Sequence, residues 1–308
     1  MAAAHKSIYS ALIANLLIAI TKFIAGAVSN SSAMISEGVH SLVDTINQLL
    51  LLYGIKRSQR PPDVTRPFGY GKELYFWAFI VSILIFGFGG GISVYQGIVH
   101  LIEPEPLGDP TWNYVVLGVS IIFESVSLLI ATKEFNKVRG EMTWWKAIKD
   151  SKDPAGFLVL FEDSAAVLGL LIVAVFIFLS HSLNLPMLDG VGSLLVGILL
   201  LLVSSLLALE SRSLLMGEGI SPETQKKIKV LAEKDPSVLK VISILSTYQS
   251  PEEVLLMLIL AFRADLNTED INDAITRIRK DIKEEFKLVR FVIIQPEVID
   301  SYPDHAGS

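Results

Sequence analysis

The sequence predicts a membrane domain of six transmembrane helices followed by a small cytoplasmic α+β domain of ferredoxin-like type, and three observations carry that prediction. Mean hydropathy over the 308 residues is positive, +0.52, and 51% of residues are hydrophobic, above the share usual for a soluble domain. Apolar runs of the roughly 20 residues needed to cross a hydrocarbon core recur six times in the first two thirds. The last third changes to acidic, short-period segments.

The six runs lie near 8–28, 33–56, 74–102, 112–132, 155–180 and 188–210. Their connections carry an orientation signal. Lys56, Arg57, Arg60, Arg66 and Lys72 lie between the second and third runs, and Lys133, Lys137, Arg139, Lys146, Lys149 and Lys152 between the fourth and fifth. Ser29–Ser32, Glu103–Thr111 and His181–Met187 carry no Lys or Arg. The positive-inside rule therefore places both termini in the cytoplasm, which in a bacterium means an inner-membrane protein. The segment after MAAAHKS has no small-residue cleavage pattern and reads as a retained span.

The transmembrane domain is expected over 1–216 and the soluble one over 217–300, with 301–308 a tail. Within the soluble part, Pro222–Asp235 reads as a helix, Val238–Tyr248 and Val254–Phe262 as strands, Thr268–Phe286 as a helix and Val289–Pro296 as a strand. That order suggests an antiparallel sheet covered by helices.

Several function classes drop out. Cysteine is absent, which excludes disulfides, thiolate metal sites and cysteine catalysis. The chain is acidic, at a net charge of −6, with no basic stripe for nucleic acid. No phosphate-cradling G-x-x-x-x-G-K-[ST] supports an ATP-driven pump, and no H-E-x-x-H or G-x-S-x-G supports a hydrolase. The chain is read as neither an enzyme nor the holder of a prosthetic group.

Polar residues inside the spans are costly and mark function. The second span reads S-E-G-V-H-S-L-V-D-T-I-N-Q, in which His40 and Asp44 are one helical turn apart on one face, with Glu37 and Asn47 or Gln48 extending the stripe. An imidazole and a carboxylate at that spacing make half of a tetrahedral zinc-like site, and a helix-packing hydrogen-bond network is the alternative. In the fifth span Glu162 and Asp163 are neighbours, about 100° apart around a helix, so one is expected to face a site and the other a partner helix or water. Glu124 in the fourth span reads as a pathway or proton-relay residue or as an ordinary buried contact. Lys22 reads as a snorkelling side chain, and Gly87, Gly89, Gly90 and Gly91 as close packing or a kink.

The stretch S-S-A-M-I-S-E-G-V-H-S-L-V-D-T-I-N-Q-L-L-L-L from Ser31 to Leu52, with R-P-F-G-Y-G-K at Arg66–Lys72, resembles the cation diffusion facilitators, the family that includes the zinc transporters. The branch it is most similar to is the ninth human zinc-transporter type, through the end of the second span and E-D-S-A-A in the fifth. The resemblance implies a homodimeric secondary transporter, set in membrane lipid, that exchanges Zn2+ or a related ion (Mn2+, Fe2+, Co2+) for protons by alternating access. Its transport site takes two ligands from the second span, matched by His40 and Asp44, and two from the fifth, where Asp163 matches. The family's partner four residues earlier is Val159 here, so either Glu162 substitutes or a water completes the site. A second family site in the loop after the second span retains Asp63 but has Arg66 at its His position and Tyr70 at another, and a guanidinium cannot ligate a cation. Residues 217–300 contain no His, which implies dimerisation and not metal sensing for the soluble domain. The competing expectation is a metal-regulated membrane interaction protein with little transport.

Overall fold

A computed structural model describes residues 2–29, 32–104, 111–144, 146–147 and 151–298. The expected tail, 301–308, lies outside the described residues. The chain divides into two compact units, residues 1–60 with 73–212, and residues 61–72 with 213–308.

Among the described residues the regular structure of the first unit is helical: α1 (Ala2–Ser29), α2 (Ser32–Ser58), α3 (Glu73–Ile102), α4 (Thr111–Arg139), α5 (Pro154–Leu183) and α6 (Met187–Met216). Among the described residues five helices are long and apolar enough to cross a membrane, namely Lys6–Ala25 of α1, α3, Asn113–Arg139 of α4, α5 and α6. The fifth span begins where the local chemistry demands, with Asp153 accepting from Ala155 N and Gly156 N and Pro154 in the first turn. It ends at Asn184, whose left-handed φ of 54° closes the last turn.

Helices α1, α2, α4 and α5 pack into a bundle, with α3 against α2 and α5. Helix α6 meets α3 along small residues. A Cβ on Gly97 would lie 2.6 Å from Leu194 N, and one on Gly197 2.6 Å from Val94 N, so the two backbones approach as only glycine permits. Residues Ile85–Gly91 of α3 form a π-helical segment, and Gly90 within it faces Leu201. The glycine run therefore serves both the close packing and the local irregularity.

The bundle has two unlike halves. At the end where α1 begins and α2 ends, a buried apolar cluster includes Ile8, Leu51, Ile55, Leu74, Phe157, Leu158 and Val159. Toward the opposite end that filling gives way to a cavity.

The second unit holds α7 (Pro222–Ala232), β1 (Val238–Ser250), β2 (Glu253–Phe262), α8 (Thr268–Glu285) and β3 (Val289–Pro296). Ser221 caps α7 by accepting from Thr224 N, and Asn267 with Asp270 forms a reciprocal capping box on α8. Val254, Leu256, Leu258 and Leu260, at alternate positions of the central strand, are at most 1% exposed. They share a core with Ile228 and Ala232 of α7 and Ile278 and Ile282 of α8.

The sheet order is β1-β2-β3, and it corrects one expectation. β1 and β2 pair antiparallel across a tight hairpin, but β2 and β3 pair parallel. The physical reason is α8, which carries the chain back along the sheet so that β3 restarts in the direction of β2. The sheet is mixed, not antiparallel. Residues 61–72, which join α2 to α3, belong to this unit: Phe68 sets its ring edge-on to Phe291 at 5.6 Å, and Gly71 lies against the backbone of Gln249.

Candidate functional site

A cavity of about 470 Å3 lies in the helical unit. Its lining runs along Asn15–Lys22 of α1, Ile85–Gln96 of α3, Glu162–Val173 of α5 and Ser193–Leu200 of α6. All these stretches lead from mid-bundle toward the end where α1 passes into α2. Among the described residues the wall carries four carboxylates from three helices: Asp44 of α2, Glu124 of α4, and Glu162 and Asp163 of α5.

Each acid is held differently. Asp163 is only 2% exposed, and its Oδ2 accepts a 2.7 Å hydrogen bond from Ser127 Oγ of α4. Ser127 in turn stands 3.4 Å from Ser10 Oγ of α1, so a chain of hydroxyls crosses the bundle to the carboxylate. Glu162 Oε2 accepts from Gln48 Nε2 of α2 at 2.7 Å. Glu124 is buried among Ser120, Asp44 and the α5 acids on the cavity wall. Adjacent positions 162 and 163 were expected to diverge, yet both line the cavity. Its breadth accounts for this, since side chains 100° apart on one helix reach opposite parts of a wide chamber.

The second-span stripe is met in part. Asp44 and Ser41 line the cavity, and His40 sits on α2 one turn before Asp44. The side chains of His40 and Glu37 lie outside the described residues. Asn47 is 1% exposed and does not line the cavity. Among the described residues its Nδ2 and Oδ1 and the Oε1 of Gln48 are buried without a protein partner, the setting in which buried polar groups hold water. Val159, one turn before Asp163, is fully buried in the apolar cluster and not on the cavity wall.

Lys22 is the residue the sequence reading placed wrongly. It does not snorkel: it is 8% exposed, lines the cavity and donates to Ser41 Oγ at 3.0 Å. A single Lys within an apolar helix gives no sign of depth until the partner helix is known. The cavity lining also includes the polar Asn15, Gln96 and Ser193, none of which stood out in sequence.

Asp63 and Arg66 fall in the other unit. Asp63 Oδ1 accepts from Thr65 N, Thr65 Oγ1 and Arg66 N, and its Oδ2 from Tyr70 OH at 2.6 Å. The hydrogen bonds of Thr65 and Tyr70, with that of the Arg66 backbone, hold its carboxyl well below the usual range. Arg66 stacks over the Tyr70 ring at 4.8 Å. These residues shape a turn, and both Asp63 oxygens are already engaged in it.

Hard oxygen donors are spread around a polar chamber, and among the described residues no three His, Asp or Glu side chains come together closely enough to hold one metal ion. Comparison with known proteins points to cations. The cation efflux transmembrane domain matches residues 8–216. The proton-coupled zinc antiporter SLC30A9, mitochondrial, of Homo sapiens is 37% identical over 236 residues, which cover 76% of this chain and 41% of that protein. Its Xenopus laevis counterpart is 34% identical over 290 residues, covering 91% of this chain and 52% of that one. The chain thus spans about half the length of these relatives or less. The manganese efflux system protein MneP of Bacillus subtilis is 26% identical over 287 residues, 92% of each chain. Among solved structures, the MamM CTD is 16% identical with a TM-score of 0.24, covering 25% of this chain and 95% of that one.

Proposed function

The chain belongs to the cation efflux family, and from that premise we propose that it carries a divalent metal ion across a membrane in exchange for protons, with Zn2+ the first candidate. The observation that supports this most is the convergence of Asp44, Glu124, Glu162 and Asp163 on one chamber inside a helical bundle. Such burial of acids is expensive in a membrane and marks the path of an ion or of protons. In this reading α2, the second span, brings the number of spans to six, its polar stripe being the reason it is less apolar than the other five.

His40, Asp44 and Asp163 are the proposed ligands, with Glu162 as fourth donor in place of Val159. The 2.7 Å bond from Gln48 ties Glu162 to α2, the helix that carries His40 and Asp44. Metal binds these groups deprotonated, so protons arriving from the far side release it, and the metal's departure leaves acids to be refilled by protons. Glu37, Asn47 and Glu124 are the proposed pathway or relay residues, Glu124 on the chamber wall and Asn47 buried behind it. Zn2+ is favoured over Mn2+ by the imidazole of His40 and by the zinc named in the 37% identical relative.

The two halves of the bundle fit alternating access. The cavity leads to the end opposite the basic loops, and the apolar cluster around Leu51, Ile55, Leu158 and Val159 closes the other end. With the basic loops cytoplasmic, this is the state open away from the cytoplasm. A homodimer, with residues 61–72 and 213–298 as the assembly unit, completes the proposal. Reading the chain as a metal-regulated interaction protein leaves the chamber without a use.

The test is zinc uptake into proteoliposomes holding the full chain, with an imposed pH gradient. Saturable, gradient-dependent uptake supports the reading, and its absence in well-folded protein contradicts it.

A further inference from the structure

Among the described residues the chamber is lined by one basic side chain beside its acids. Lys22 lines it with Asp44, Glu124, Glu162 and Asp163, and its Nζ is anchored by Ser41 Oγ at 3.0 Å. Ser41 lies one residue from His40 and on the helix that supplies Asp44. A lysine side chain has three donors and no acceptor, so it cannot ligate a metal. Burying its charge within a membrane span is costly unless acids offset it, and this cavity supplies them.

Resting on the reading of this chamber as the metal site, we propose that Lys22 is a tethered countercation that competes with the transported ion for the chamber's carboxylates. In the metal-free chamber its ammonium balances part of the acid charge. When a divalent ion enters, like charges repel, and the ammonium draws back from the acids on its four-carbon stem toward Asn15, a polar lining residue of its own helix. When the ion leaves, the ammonium returns. The consequence is a weaker equilibrium affinity and an easier release than the acids alone would give. The device uses the charge of Lys22 and needs no proton exchange on it.

The experiment is isothermal titration of Zn2+ into the full chain purified in detergent, comparing wild type, Lys22→Gln, Lys22→Arg and Asp44→Ala. Removing one unit charge several ångströms from the ion, at an effective dielectric of about 20, is expected to tighten zinc binding by at least about tenfold in Lys22→Gln. Thermal stability of the metal-free protein should fall in the same variant. Lys22→Arg keeps the charge and should bind within about threefold of wild type.

A Lys22 that merely tied α1 to α2 would lower stability in Lys22→Gln without tightening zinc binding. Unchanged or weaker binding in that variant therefore overturns the proposal. If Lys22→Gln does not fold, Lys22→Arg decides, since tightening by tenfold there overturns it and wild-type-like affinity supports it. Asp44→Ala separates the two layers: wild-type zinc affinity in that variant sinks the site itself, whereas lost binding there with no tightening in Lys22→Gln sinks only the countercation.

Discussion

Ser127→Ala probes how the chamber aims its best-buried acid. Ser127 Oγ gives Asp163 Oδ2 a 2.7 Å hydrogen bond, and Asp163 is 2% exposed, so water cannot readily replace the lost donor. The bond commits Oδ2 to α4 and, under the proposed ligand assignment, leaves Oδ1 for the ion. A hydrogen bond to a charged group contributes about 1.5–3 kcal/mol. At about 1.4 kcal/mol per tenfold, its loss corresponds to roughly 10- to 100-fold in affinity, which is also the usual range for residues that orient metal ligands. The assay is initial zinc flux in proteoliposomes against zinc concentration. The half-saturating concentration should rise by that factor while the maximal rate is largely retained, because no ligand has been removed. Ser127→Ala protein that elutes as wild type and half-saturates at the wild-type concentration would refute the orienting role of Ser127.

Three further outcomes follow from the same geometry. Asp163→Asn is expected to eliminate zinc flux and Glu162→Gln to leave a reduced flux with weaker affinity, and the reverse pattern in reconstituted transport would move the fifth-span ligand to Glu162. Val159→His places an imidazole in the apolar cluster, where burying a polar group costs about 1–3 kcal/mol. Thermal denaturation should show the loss, with zinc-over-manganese preference unchanged, and a stable variant with shifted preference would put residue 159 on the ion path. Partial burial pushes Asp235 up, but hydrogen bonds from Arg277 and Ser237 outweigh it and hold its carboxyl below the ordinary value. Because the folded pKa is depressed, the contribution is present above the unfolded value of about 3.9 and is lost as pH falls through the folded one. Asp235→Asn should therefore weaken protection of α7 and α8 by about 1 kcal/mol at neutral pH. In hydrogen exchange the difference from wild type should shrink below about pH 4, and a pH-independent difference would contradict the pairing.

Much of this was legible in the residues, and the exceptions have physical causes. Span lengths are fixed by bilayer thickness, so runs of apolar residues locate the helices directly. The strand of alternating Val254, Leu256, Leu258 and Leu260 likewise announces a sheet centre. Asp44, Glu162 and Asp163 stand out because acids are rare in such runs. Lys22 does not, since its depth depends on which residue of α2 it meets. The same holds for Ser127, one serine among several in α4 until Asp163 is brought to 2.7 Å. The parallel pairing of β3 was missed because strand periodicity carries no direction; only the course of α8 sets it. Residues 61–72 read as a loop of the membrane domain by position, but Phe68 finds its partner in Phe291, more than 200 residues away. Windows of local sequence cannot report contacts of that range.

The central claim is that the acid-lined chamber is the route of a proton-exchanged metal ion. Its most direct test is zinc flux into proteoliposomes under an imposed pH gradient, with wild type and Asp44→Ala reconstituted side by side. The account predicts saturable uptake by wild type that collapses when the gradient is dissipated and is lost in Asp44→Ala. Equal uptake by the two proteins, or wild-type uptake indifferent to the gradient, would contradict it.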